Sequence, residues 1–241
     1  MSCNCTRSRS FCGRAYTRDA LPPASRNVAY LHGFASGPLS KKGMLLAERF
    51  RGQGVELRLP DLNRPSFSRL TVTEALEAVD ELVAGVEASG DGAGRWRFVG
   101  SSFGGYVAAR WAELHPERVA RLLLLCPGFD LLSRWPLLLG REAFERWERD
   151  GVIPLADGAG RMTPVHWGFV EDARRHPPFP EVPCPTRIVH GTRDEVVPVE
   201  TSRRYAAARP LVTLREVDDD HGLLASVEAI AAELEGFLLA E

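Results

Sequence analysis

Short, unbroken apolar runs alternate along this chain with longer stretches in which apolar residues recur every three or four positions, and few folds accommodate that alternation. Val28–Leu31, Val55–Leu59, Trp96–Gly100, Val119–Cys126, Thr186–His190 and Leu211–Val217 are short, mainly apolar and mostly bounded by Gly, Pro or Asp. Apolar runs without polar alternation suit strands covered on both faces, as in a parallel sheet. Between them, Val72, Leu76, Val79, Val83 and Val86 recur at helical spacing, as do Leu223, Val227, Ile230, Leu234 and Phe237. Each set lines one face of a helix. The order predicts an α/β fold, a mainly parallel sheet flanked by helices.

Residues 127–185 interrupt the alternation. They hold many prolines, one clear helical piece (Arg141–Asp150) and a concentration of large apolar side chains: Trp135, Leu137, Leu138, Leu139, Phe144, Trp147, Trp167 and Phe169. This segment reads as a small lid insertion over the end of the sheet, within a domain of residues 25–241. With 241 residues, 44% of them hydrophobic, the chain can bury a sizeable core. Residues 1–24 differ: Arg7, Arg9, Arg14 and Arg18 against Asp19 give them net +3, and they show no hydrophobic period. A disordered tail is expected there, in preference to an Arg- and Ser-rich transit peptide, because no amphipathic helix is evident.

Net charge −2 offers no basic surface for nucleic acid or an anionic membrane as partner. No apolar run approaches the roughly 20 residues of a membrane span. Of the five cysteines, Cys3, Cys5 and Cys12 lie in the tail, Cys126 and Cys184 in the body, and no paired C-x-x-C pattern is present. The body cysteines are expected to be reduced and structural, in a cytoplasmic protein.

Gly100-Ser101-Ser102-Phe103-Gly104-Gly105 carries the strongest chemical signal. A G-x-S-x-G element between a strand and a helix holds its serine on a sharp turn, with the hydroxyl projecting above the sheet. The helix that follows directs its N-terminus at the site, where negative charge is favoured. Ser102 is the central serine; Ser101 is the rival, at the variable position. A serine hydroxyl needs a base, and the base needs orientation. Asp194, after strand Thr186–His190, and His221, after strand Leu211–Val217, follow in the order acid, then base. Open α/β sheets place their sites at these strand ends. Asp130 is the alternative acid. His190 is expected to be a packed residue. Acyl transfer also needs N–H donors for a developing oxyanion; the backbones of Phe103 and, in the loop after the first strand, Phe34 are the candidates. Lys41 and Lys42, the only lysines, are expected to be solvent-exposed.

Leu31-His32-Gly33-Phe34, Gly100-x-Ser102-x-Gly104-Gly105, His190-Gly191-x-x-Asp194 and Asp220-His221 together resemble the α/β-hydrolase superfamily. His32-Gly33-Phe34-Ala35-Ser36-Gly37-Pro38, with Lys42 close behind, is similar to small bacterial esterases of the YqiA type. The resemblance runs from about Arg26 to the C-terminus. It implies the α/β-hydrolase fold and hydrolysis of a carboxylic ester or thioester through an acyl-serine intermediate, with no metal and no organic cofactor; in that fold the lid insertion read above falls after the sixth strand. The length of the 127–185 segment departs from the small esterases and leaves the substrate open. Phe144, Trp147 and Trp167 line either a satellite core or an apolar acyl pocket for a small-molecule substrate. Two further functions stand beside hydrolysis: acyl transfer or peptide cleavage on the same triad, and a non-catalytic ligand receptor.

Overall fold

The computed structural model describes residues 27–90 and 94–240. The expected tail, with Cys3, Cys5 and Cys12, lies outside the described residues.

Five parallel strands form the main sheet: β1 (Val28–Leu31), β2 (Trp96–Ser101), β3 (Val119–Leu125), β6 (Thr186–Gly191) and β7 (Val212–Val217), side by side in that order. Each lies within a residue or so of the run that the sequence marks. Val55–Leu59, expected as a strand, is reduced to one bridge, in which Tyr30 N–H donates to Arg58 O and Arg58 N–H to Val28 O. The next donor in a parallel ladder would be residue 60, a proline without an N–H, so pairing stops.

The sheet is covered on both faces. On one, α2 (Val72–Ala88) and α3 (Phe103–Leu114) pack over Trp96, Phe98, Leu122, Leu124 and Ile188. On the other, α1 (Lys41–Arg51) and α8 (Val227–Glu233) cover Val28, Tyr30, Val99, Leu123, Leu125 and Val189. Phe98 and Val99 thus face opposite layers, as the two-residue strand period requires. Each such fully buried large side chain contributes about 1.5–3 kcal/mol. Helix α2 begins where Thr71 Oγ1 accepts from Glu74 N–H at 3.1 Å. The buried Trp111 of α3 is tied to it, its indole N–H donating to Asp80 Oδ1 at 2.8 Å. Helix α7 (Val199–Ala207) packs on β6 and β7.

Residues 127–185 hold α4 (Leu131–Leu139), α5 (Arg141–Asp150), the antiparallel hairpin β4 (Val152–Ala156) and β5 (Met162–His166), and α6 (Gly168–Ala173). Trp135, Trp147, Val165, Trp167 and Phe169 make their core continuous with the α2/α3 side of the sheet. The hairpin turn reaches the loop after β1: a Cβ on Gly158 would stand 3.2 Å from Ser36 Cα.

Helix α3 crosses β1 so closely that a Cβ on Gly104 would lie 2.1 Å from Leu31 O. Both surfaces are backbone and neither can yield cheaply. Gly104→Ala is therefore expected to lose at least ~3 kcal/mol, the upper end of ordinary overpacking costs, in chemical unfolding. A loss below about 0.5 kcal/mol, typical of an unconstrained surface position, would contradict the packing described.

Candidate active site

Ser102 joins the end of β2 to the start of α3 with φ 51° and ψ −116°. Positive φ is strained for a residue with a side chain, and surrounding bonds hold it. Its N–H donates to Leu125 O at 2.9 Å, and its carbonyl accepts from Gly105, Tyr106 and Gly128 N–H at 2.9, 3.1 and 2.9 Å. The turn closes only around glycine, since a Cβ on Gly100 would fall 2.4 Å from Gly104 O. The Ser102 hydroxyl caps no helix N–H. Ser101 differs: it is buried, and its Oγ accepts from the Lys42 ammonium at 3.1 Å. Of the two candidate serines, Ser102 holds the strained position with an uncommitted hydroxyl.

Asp194 and His221 meet beyond the ends of β6 and β7. His221 Nδ1–H donates to Asp194 Oδ2 at 2.7 Å, which leaves Nε2 free to take a proton. Asp194 Oδ1 accepts from Val196 and Val197 N–H at 2.9 and 2.8 Å. The two loops are laced together: Thr192 N–H donates to Val217 O and Arg193 N–H to Asp219 O. Asp130, the alternative acid, accepts from Ser133 Oγ at 2.6 Å at the start of α4 and is not bonded to His221.

His190 is fully buried, as its strand-end position led one to expect, but it also serves the acid. Its Nε2 lies 2.8 Å from Val197 O and 3.2 Å from Asp194 Oδ2. Both neighbours are acceptors, so Nε2 carries the proton, and Nδ1 accepts from Ser202 Oγ at 2.7 Å. Burial opposes ionisation of Asp194. The hydrogen bonds from His190 and His221, together with the electrostatic attraction of His221 and the Val197 N–H, outweigh it and hold the carboxyl well below the usual carboxylate range. Cys126 Sγ joins His190 and Asp194 within 4.8 Å, as a metal site might. Both imidazole nitrogens are already engaged and Asp194 is shared with His221, so the trio fits a hydrogen-bond network better than a ligand set. Burial pushes the Cys126 thiol far above its ordinary value and Cys184 to about 11, as expected of unreactive structural cysteines.

The loop after β1 approaches from the other side. His32 Nε2 accepts from Leu62 N–H at 2.9 Å, so Nδ1 carries the proton and donates to Gly33 O at 2.9 Å. A Cβ on Gly33 would lie 3.4 Å from Ser102 Cβ. The N–H groups of Phe34 and Phe103 donate to no backbone acceptor among the described residues. Lys42, expected in solvent, is only 8% exposed. Gly43 in the first turn of α1 packs against the Tyr30 ring, and the Lys42 side chain reaches Ser101.

An aromatic cluster stands over this loop. The Phe34 ring lies 5.1 Å from Phe67, 5.1 Å from Trp135 and 5.2 Å from Phe169 (centroid distances). Phe169 also reaches Phe103, at 5.9 Å. Phe144, Trp147 and Trp167, singled out in the sequence, form a second layer behind Trp135. Trp147 is fully buried, its indole N–H donating to Val165 O at 2.9 Å, so of its two open roles the structure favours packing. Trp135 and Phe169 belong to the apolar set of residues 127–185, whereas Phe67 and the Phe34 side chain carry no sequence signal that marks them as part of this cluster. Beside the loop, an open cleft of about 560 Å³ lies between Ser36–Ser40, Asp61–Phe67 and the β4–β5 turn.

Residues 27–236 match the family described as Uncharacterised protein family (UPF0227). The Palmitoyl-protein thioesterase ABHD10, mitochondrial, of Pongo abelii is 29% identical over 143 residues, covering 55% of this chain and 42% of the relative. The chain thus matches less than half the length of that relative. The mouse alpha/beta hydrolase domain-containing protein 10 aligns with TM-score 0.70 and 23% identity over 87% of this chain and 88% of that one. Est1E of Butyrivibrio proteoclasticus, with ferulic acid bound, aligns with TM-score 0.75 and 20% identity over 92% of each chain. These structures show that the fold is the α/β-hydrolase fold.

Because the carboxyl of Asp194 is depressed below its unfolded value, near 3.9, its contribution to stability is present above that value and lost as pH falls through the folded one. Between about pH 4 and pH 2.5 the wild type is expected to lose stability more steeply than Asp194→Asn, in urea unfolding at a series of pH values. Parallel curves would show that Asp194 is not held as described.

Proposed function

The chain belongs to the UPF0227 family, and we propose that it is a serine hydrolase that cleaves a carboxylic ester or thioester through an acyl-serine intermediate. The observation that carries this reading is the His221–Asp194 hydrogen bond at the same end of the sheet as the strained Ser102 turn. Ser102 Oγ attacks the acyl carbonyl while His221 Nε2 takes its proton. The carbonyl oxygen becomes an oxyanion held by the N–H groups of Phe34 and Phe103. As the tetrahedral species collapses, the bond to the leaving group breaks and His221 returns the proton to the leaving oxygen or sulfur. Water repeats the sequence on the acyl-serine, giving the carboxylic acid and free Ser102. Asp194 stays ionised throughout and orients His221. Relatives and structural neighbours named as thioesterases, esterases and lipases support the same chemistry.

The acyl group in this reading is apolar and short to medium in length. Phe34, Trp135 and Phe169 form its wall, with Phe144, Trp147 and Trp167 as the supporting layer, and residues 127–185 act as the lid. No helix among the described residues is long and apolar enough to cross a membrane. The free, buried Cys126 and Cys184 support a reducing compartment, here read as the cytoplasm.

A panel of acyl esters and thioesters of graded chain length tests the proposal. The wild type is expected to turn over at least one class, with Ser102→Ala and His221→Ala each reducing kcat by about 10⁴-fold or more. Trp135→Ala should move the chain-length optimum. Undiminished turnover in Ser102→Ala would overturn the assignment of Ser102 as nucleophile, and no turnover in a well-folded wild type would overturn the hydrolase reading and favour a ligand receptor.

A further inference from the structure

Lys42 is a buried cation that the mechanism above does not use. Ser40 Oγ caps α1 by accepting from Gly43 N–H at 3.2 Å. Gly43 lies so close to β1 that a Cβ there would stand 2.8 Å from the Tyr30 ring. This docking carries Lys42 beneath the Ser102 turn, where its ammonium donates to Ser101 Oγ at 3.1 Å. The Tyr30 hydroxyl, whose pKa burial raises, interacts with Ser40 and the same Ser101. The charged and titratable groups that face the ammonium come from three elements: Cys126 at the end of β3, Asp194 beyond β6, and Asp219 and Asp220 beyond β7. They act through space, and no carboxylate pairs with Lys42 among the described residues.

Burial of an ammonium with three donors and one hydroxyl acceptor is costly. A methionine of similar length would fill the space without that cost, and replacement of buried ions by apolar residues is often neutral or stabilising. The position therefore gains nothing in packing from being charged. What the charge reaches is the residue before the nucleophile, in a region of low dielectric where a fixed charge acts strongly.

We propose that Lys42 is a positioning residue for Ser102: it fixes Ser101 at the base of the turn and sets a buried positive charge beneath the point where the tetrahedral oxyanion develops. The proposal rests on the serine-hydrolase reading. Because that charge favours the transition state over bound substrate, its loss falls on kcat rather than KM.

The test compares wild type, Lys42→Met and Lys42→Arg for kcat and KM between pH 5 and 9, thermal midpoint, and fluorophosphonate labelling rate. In Lys42→Met, kcat and labelling rate are expected to fall roughly 10- to 100-fold, less than the roughly 10²–10³-fold of losing a direct oxyanion donor because Lys42 acts through Ser101. KM should stay within about two-fold, with the thermal midpoint unchanged or higher. Lys42→Arg, which keeps the charge, should restore most of the wild-type kcat and labelling rate. Unchanged kcat in Lys42→Met would overturn the proposal. So would a fall in kcat accompanied by a lower midpoint and not rescued in Lys42→Arg, the pattern of a structural residue. Wild type that labels normally at Ser102 separates either failure from failure of the hydrolase reading, which would show as no labelling at all.

Discussion

Ser102 occupies a backbone conformation that its side chain disfavours, and the surrounding sheet is arranged so that it has no other. Its amide and carbonyl are held by four hydrogen bonds from β3, α3 and Gly128. Gly100, Gly104 and Gly105 allow strand, turn and helix to approach at distances that a methyl group would prevent. The rest of the end of the sheet follows from this turn. Close packing of α3 on β1 brings Gly33 against Ser102, and the order β2-β3-β6-β7 sets the loops carrying Asp194 and His221 on the same edge. Strain at Ser102 is offset by packing far larger than itself, the usual condition for strain to persist at a site.

The two sides of the turn differ in character. On one, Phe34, Phe67, Trp135 and Phe169 make an apolar roof continuous with the core of residues 127–185. On the other, Tyr30, Lys42, Ser101, Cys126, His190 and Asp194 form a buried polar layer at the end of the sheet. Asp194 concentrates that layer: Val196, Val197, His190 and His221 all bear on one carboxylate. A carboxylate fixed from so many directions cannot follow His221 if it moves, so the imidazole is the member constrained.

Much of this was legible in the sequence, because unbroken apolar runs and i, i+4 periodicity report burial directly. The five strands of the sheet, the helix Arg141–Asp150 and the strand-end positions of Ser102, Asp194 and His221 are of this kind. The hairpin β4–β5 was not, since Pro154 and Pro164, which face each other across it, argue against strands. The turn Asp157-Gly158-Ala159-Gly160 between two short runs was the available signal. Val55–Leu59 has a strand's composition, but the proline that ends its ladder outweighs it. Lys42 was misplaced because lysine ordinarily reaches solvent. Its burial depends on how α1 lies on Tyr30, a tertiary fact for which Gly43 was the only trace. Phe144, Trp147 and Trp167 could not be assigned from spacing, because a helix face looks the same whether it meets a pocket or a second aromatic layer.

The central claim is that the protein activates Ser102 through His221. Its most direct test is to treat wild type, Ser102→Ala and His221→Ala with a fluorophosphonate and locate the adduct by peptide mass spectrometry. A phosphonylated Ser102 in wild type, absent in Ser102→Ala and much slower to form in His221→Ala, is the predicted result. An adduct on Ser101, or none on a folded wild type, would contradict the account.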